Sequence, residues 1–163
     1  MRLVIADTGP INYLILIGCI DLLPALFEKV VLPAPLQAEL SAPNAPDAVR
    51  TWINNLPAWL EVRETPAGFD TDPALKGIHA GEQAAIGLAA ALKADLLLMD
   101  DRKGVIVARG KGLRVTGTLG ILELAARDGL TDLPQAIERL RQTNFRSPDA
   151  LLDALLKRHT DSL

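Results

Sequence analysis

Short unbroken apolar runs alternate with longer stretches in which apolar residues recur at helical spacing. Arg2-Leu-Val-Ile-Ala6 is closed by Asp7-Thr-Gly-Pro10, too brief for a helix and flanked by Gly and Pro, so it predicts a buried strand. Lys29-Val-Val-Leu32, Leu60-Glu-Val62, Asp95-Leu-Leu-Leu-Met99 and Leu113-Arg-Val115 read the same way. The Leu96–Met99 run is apolar on both faces, as an interior parallel strand is. Between the runs the pattern predicts helices over Ile11–Ile20, Asp21–Phe27, Leu36–Leu40, Asp47–Asn55, Ala80–Lys93 and Arg102–Gly110. Another follows the Thr116–Gly120 turn and ends near Asp128-Gly129, and two more cover Leu133–Gln142 and Pro148–Arg158. Ser147 is the expected cap of the last helix, with Pro148 in its first turn. Ser41–Pro46 and Pro66–Gly77 read as loops, the second of them exposed.

Strands alternating with helices imply an α/β protein, a three-layer sandwich with a central parallel sheet and right-handed crossovers. Strand order is not legible from periodicity. The 163 residues suit one domain, expected over residues 1–163. Hydrophobic residues make up 49% of the chain and aromatics only 4%, so aliphatic side chains fill the core. The thin aromatic supply also argues against binding nucleic acid mainly by base stacking. A single cysteine, Cys19, excludes an internal disulfide and any multi-thiolate zinc site, and the two histidines, His79 and His159, are too few for a His-rich one. Cys19 reads as packing, and Trp52 and Trp59 as anchors of the middle segment. No run reaches the roughly 18 apolar residues of a membrane span, so no membrane partner and a cytoplasmic location are expected. The apolar stretch Ile11–Ile20 offers a face for self-association.

Topology gathers the acidic residues. In a parallel α/β sheet the site lies at the carboxyl ends of the strands. Asp7 follows the first strand, and Asp100 and Asp101 follow the Leu96–Met99 strand. The crossover helices begin at the same edge, which brings Glu82 and Glu39 to it. Each acid alone has a structural explanation. Asp7 can bind turn amides, Glu82 suits a helix amino end, Asp100 or Asp101 can cap the next helix, and Glu39 can be a solvated helix residue. Together they repel one another and call for raised pKa values or a counter-ion. All-oxygen donors favour Mg²⁺ or Mn²⁺ over zinc.

Charge adds a second feature. The chain carries 17 Lys and Arg against 20 Asp and Glu, yet Arg102, Lys103, Arg109, Lys111 and Arg114 fall in one stretch without an acid among them. Such a run is either a solvated helix face or a phosphate-facing patch beside the acids.

Five segments in order carry a family resemblance: Val4-Ile-Ala-Asp7-Thr-Gly-Pro10, Leu36-Gln-Ala-Glu39-Leu40, Gly81-Glu-Gln-Ala-Ala-Ile86, Leu96-Leu-Leu-Met-Asp-Asp-Arg102 and Val115-Thr-Gly-Thr-Leu-Gly120. Over about residues 3–130 the chain resembles a PIN-like domain, from a branch related to the VapC-type toxins. The resemblance implies a metal-dependent ribonuclease, often a toxin paired with a small antitoxin protein and often a homodimer. It maps Asp7, Glu39, Glu82 and Asp100 onto the catalytic acids, with the same four and Asp101 as Mg²⁺ or Mn²⁺ ligands. Thr8 and Thr118 match polar positions near the metal. Where the toxins usually carry an aromatic, Arg102-Lys103-Gly104 stands, and Arg102 and Lys103 are expected to steady RNA phosphates.

The function expected is therefore a PIN-type endoribonuclease acting on RNA, the toxin of a toxin–antitoxin pair. The alternative is a non-catalytic PIN-like module that binds nucleic acid or a protein partner. A phosphotransfer domain fits less well. Receivers place an acidic pair after the first strand, and the phosphatase-like layout needs Asp-x-Asp there, whereas this chain offers Asp7-Thr-Gly.

Overall fold

β1 (Val4–Ala6) and β2 (Val30–Pro33) are buried at every position, as strands covered on both faces must be. The computed structural model that shows this describes residues 3–163, and of Asp70 the backbone alone. β3 (Leu60–Arg63), β4 (Leu96–Leu98) and β5 (Val115–Thr116) complete a five-stranded, all-parallel sheet in the order β3-β2-β1-β4-β5. In register, Ala6 lies beside Leu98 and Leu98 beside Thr116.

Helices α1 (Thr8–Leu16) and α2 (Leu22–Leu26) connect β1 to β2, and α3 (Ala34–Leu40) and α4 (Asp47–Ile53) connect β2 to β3. The chain then returns through α5 (Ala80–Ala91) to β4, on the other side of β1, and runs outward through α6 (Arg102–Gly110) to β5. Right-handed crossovers in opposite directions leave opposite faces of the sheet. Accordingly α5 packs on β1, β2 and β4 with α6 beside it, while α1 packs with α4 and with α7 (Thr118–Arg127). α8 (Leu133–Arg141) and α9 (Asp149–Asp161) lie against α7. α3 touches α1, α5 and the sheet, which puts it at the rim between the layers.

α5 sits close to the sheet because its buried face is made of small residues, among them Ala84, Ala85 and Ala89. Among the described residues no helix is long and apolar enough to cross a membrane. Trp52 and Trp59 pack on each other with ring centroids 5.8 Å apart. Cys19 is half-buried against the core.

Several sequence expectations shift. α1 begins at Thr8 rather than Ile11, because Pro10 falls in the first turn, where its missing N–H costs no helical hydrogen bond. α1 stops at Leu16, before Gly18 turns the backbone left-handed at φ 74°. Of the apolar stretch 11–20, Ile11, Leu14, Ile17 and Ile20 are buried in the core, while Tyr13, Ile15 and Leu16 are only partly buried. The 66–77 stretch is not simply an exposed loop. It forms 3-10 turns at Phe69–Thr71 and Pro73–Leu75, buries Leu75, and lays Phe69 on α5 so tightly that a Cβ on Gly87 would lie 2.7 Å from the Phe69 Cβ. Ser147 does not cap the last helix; extended Pro148 holds the cap position, and its carbonyl accepts from the amides of Leu151 and Leu152.

Candidate functional site

Among the described strands, the connections that leave two neighbours diverge only between β1 and β4, outward to β2 from one and outward to β5 from the other. Such a switch point opens a crevice at the carboxyl ends of the two strands. Asp7 and Asp100 stand at the mouth of that crevice, since Asp7 follows β1 directly and Asp100 comes two residues after β4. The Asp7 amide is tied to the neighbouring strand by a 2.8 Å hydrogen bond to the Leu98 carbonyl.

Asp7 is only 5% exposed. Burial pushes its pKa up to about 7, the Thr8 amide partly opposes this, and the charges of Glu82, Glu39 and Asp100 raise it further. Those three acids therefore lie close enough to act on Asp7. Burial is also the main cause of the raised pKa of Asp100, Glu82 and Glu39. For Glu82 the charge of Asp101 adds to the rise, and for both glutamates the neighbouring His79 works against it.

Asp100 is held from two sides. The Thr118 amide donates to its Oδ1 at 2.7 Å, and the buried Thr118 hydroxyl donates to its Oδ2 at 2.6 Å. Gly117 leaves the room for this, since a Cβ there would lie 2.5 Å from Oδ1. Glu39, in the last turn of α3, lies over the start of α5: a Cβ on Gly81 would stand 2.7 Å from its Oε1. Glu82 follows in the first turn of α5. Asp7, Thr8, Glu39, His79, Gly81 and Glu82 line one cavity of about 240 Å³. Asp101 has a structural commitment, because its Oδ2 caps α6 by accepting from the Gly104 amide at 2.8 Å.

Two sequence-predicted residues stand apart. Arg102 and Lys103 are exposed in the first turn of α6, and neither lines the cavities described at this rim. Arg109, a later residue of the same helix, lines a larger cavity of about 650 Å³ with Asp100, Asp101, Tyr13 and Arg146. Sequence reading missed Tyr13 and Arg146 in this role. Spacing gives no signal for them, since their meeting depends on how the segment before α9 returns over α1.

The donor set suits a hard divalent cation. All the acids present oxygen, and no Lys or Arg among the described residues pairs with Asp7, Glu39, Glu82, Asp100 or Asp101. Glu82 Oε2 is buried with no hydrogen-bond partner, an arrangement that is costly unless something positive meets it. As they stand, no three His, Cys, Asp or Glu side chains among the described residues are grouped to hold one ion, so binding would draw the carboxylates inward.

Comparison with curated proteins gives no match. A family model described as PIN domain matches residues 3–161, nearly the whole chain. With acids delivered to the switch point of an all-parallel sheet and a family match of that extent, the chain belongs to the PIN domain family, whose members are generally nucleases.

Proposed function

We propose that this protein is a Mg²⁺- or Mn²⁺-dependent endoribonuclease. The observation that carries the proposal is the group of acids at the β1–β4 switch point: Asp7, Glu39, Glu82 and Asp100 have raised pKa, and none of them pairs with a Lys or Arg among the described residues. Asp7, Glu39, Glu82 and Asp100 would hold the cation, with Asp101 contributing the oxygen that does not cap α6. When bound, such an ion polarises a phosphodiester and offsets charge on its oxygens.

The chain's own groups divide the remaining work. Thr118 fixes both oxygens of Asp100. Gly81 admits Glu39 to the start of α5. The surrounding core keeps bulk water from Asp7, which strengthens its attraction for any positive charge that enters. The net reaction is hydrolysis: a water oxygen bonds to phosphorus, the bond from phosphorus to the leaving ribose oxygen breaks, and that oxygen takes a proton.

The toxin role, a small antitoxin partner and a homodimeric state belong to the same proposal, and rest on the resemblance to VapC-type toxins. A second reading, a non-catalytic PIN-like binding module, draws on the absence of a ready-made three-ligand group among the described residues. RNA cleavage with Mg²⁺, with Mn²⁺ and with a chelator separates the two. The nuclease proposal expects product only with metal, and little from Asp7→Asn or Asp100→Asn. Undiminished cutting by those variants would overturn the assignment of roles, and RNA affinity without product would favour the binding module.

A further inference from the structure

The larger cavity at the rim is not accounted for by metal binding. It opens from Asp100 and Asp101 toward the segment 144–148, with an apolar floor that includes Val105, Val115 and Leu119. Arg109 and Arg146 stand in its wall, both exposed, and neither forms an ion pair among the described residues. Its volume of about 650 Å³ lies within the ~300–1,000 Å³ of clefts that enclose small ligands.

Tyr13 fixes this wall to the catalytic side. Its hydroxyl donates to Asn144 Oδ1 at 2.9 Å, and its ring meets Phe145 edge-on at 5.0 Å. The hydroxyl stands within electrostatic reach of both Asp100 and Arg146. Burial raises its pKa most, Asp100 adds to the rise and Arg146 opposes it. Tyr13 also borders a second cavity, of about 480 Å³, lined by Thr8, Asn12, Glu39 and Asn44. Two depressions thus flank one aromatic ring beside the acids.

We propose that the cavity under segment 144–148 receives one nucleotide of single-stranded RNA beside the cut, its phosphates on Arg109 and Arg146 and its base on the apolar floor. This rests on the nuclease reading above. Two unpaired guanidiniums beside a carboxylate cluster suit a ligand that is anionic at one end, and Arg is well shaped for phosphate. The apolar floor suits a flat base. A duplex hides its base faces and presents backbone, so it has nothing to place on that floor.

Fluorescence anisotropy with a short mixed-sequence RNA, metal chelated, tests the subsite. The double variant Arg109→Gln/Arg146→Gln is compared with Lys93→Gln/Arg114→Gln, which removes the same charge from exposed positions just before β4 and β5, at the opposite edge of the sheet. The cavity variant is expected to bind roughly tenfold more weakly or worse, with a log–log salt slope shallower by about 1.4, at roughly 0.7 per lost phosphate contact on a single strand. The control keeps wild-type affinity and slope, and duplex RNA competes poorly. Both variants change exposed side chains, so unchanged melting curves confirm their folding. Equal affinity in wild type and cavity variant, equal loss in both variants, or duplex competing as well as single strand overturns the subsite. Metal-dependent cutting, scored separately by product, leaves the nuclease proposal standing in each of those cases. Wild-type protein that neither binds nor cuts RNA removes both.

Discussion

Thr118 gives both of its donors to one partner: its amide bonds Oδ1 of Asp100 at 2.7 Å and its hydroxyl bonds Oδ2 at 2.6 Å. These bonds hold the carboxylate in one orientation and oppose the effect of its burial. Thr118→Val keeps the branched shape but leaves Oδ2 without its donor. A hydrogen bond to a charged group is worth about 1.5–3 kcal/mol, so a stability loss of that order is expected in urea unfolding at pH 8. If Asp100 binds metal, losing such an outer partner also lowers activity roughly 10–100-fold. Thr118→Ser retains the hydroxyl and should recover most of both.

Asp7 makes metal-free stability depend on pH in a definite direction. Its pKa rises from 3.8 to about 7 on folding. Below its unfolded value the group is protonated in both states and contributes nothing to pH dependence. Between the two values the folded chain holds a proton that the unfolded chain has released, so stability falls as pH rises through about 7. Asp7→Asn removes the titrating charge. In a chelator, thermal melting should show the variant gaining on wild type from pH 5 to pH 8, by about 1–3 kcal/mol. A gap that stays constant with pH would contradict the burial of this carboxylate.

The strand-forming runs and the acids that follow them were legible because they depend on local composition and on one topological rule. Asp7 comes straight after Ala6, and any parallel α/β arrangement carries it to the carboxyl edge. β5 was harder to place. Expected at Leu113–Val115, it is found at Val115–Thr116, because the Leu113 amide is still bonded to the Ala108 carbonyl in the turn that ends α6. Gly112 at φ 82° makes that turn, and the sheet first engages the Arg114 carbonyl through the Leu97 amide. The wall of the larger cavity was not legible at all. Tyr13 and Asn144 meet across 131 positions of sequence, and their contact depends on how the segment between α8 and α9 comes back to α1. A run of basic residues marked α6 as interesting, but helix phase decides which of its cations reaches the cavity: Arg109 does, and Arg102 and Lys103 do not line it.

Gly81 separates folding from function. A Cβ there would stand 2.7 Å from Glu39 Oε1, 3.1 Å from its Oε2 and 3.0 Å from Leu36 Cδ2. The nearest obstacle is the end of a flexible side chain, which can swing away, whereas the leucine gives only slightly. Replacing Gly by Ala inside a helix favours folding by about 1 kcal/mol, and the leucine contact takes back a similar amount. Gly81→Ala should therefore melt within a few degrees of wild type. With Glu39 displaced, RNA cleavage is expected to fall at least tenfold, mainly in metal affinity. Activity matching wild type would remove Glu39 from the ligand set.

Metal itself supplies the last prediction. An ion that binds only the folded chain stabilises it by about 2.7 kcal/mol at a hundredfold excess over its dissociation constant. In a chain of this length, that corresponds to roughly 5–10 °C in melting temperature. Mn²⁺ or Mg²⁺ should raise the melting temperature of wild type by such an amount, and that of Asp7→Asn/Asp100→Asn hardly at all. The effect should also weaken toward acid pH. Near pH 5.5 Asp7 is mostly protonated in the folded chain, given its pKa of about 7, so the ion must displace a proton to bind. At pH 8 no proton stands in the way, and the metal-induced shift should be several degrees larger than at pH 5.5. A shift of equal size in wild type and the double variant would place the ion elsewhere, and a shift independent of pH would mean that Asp7 does not bind it.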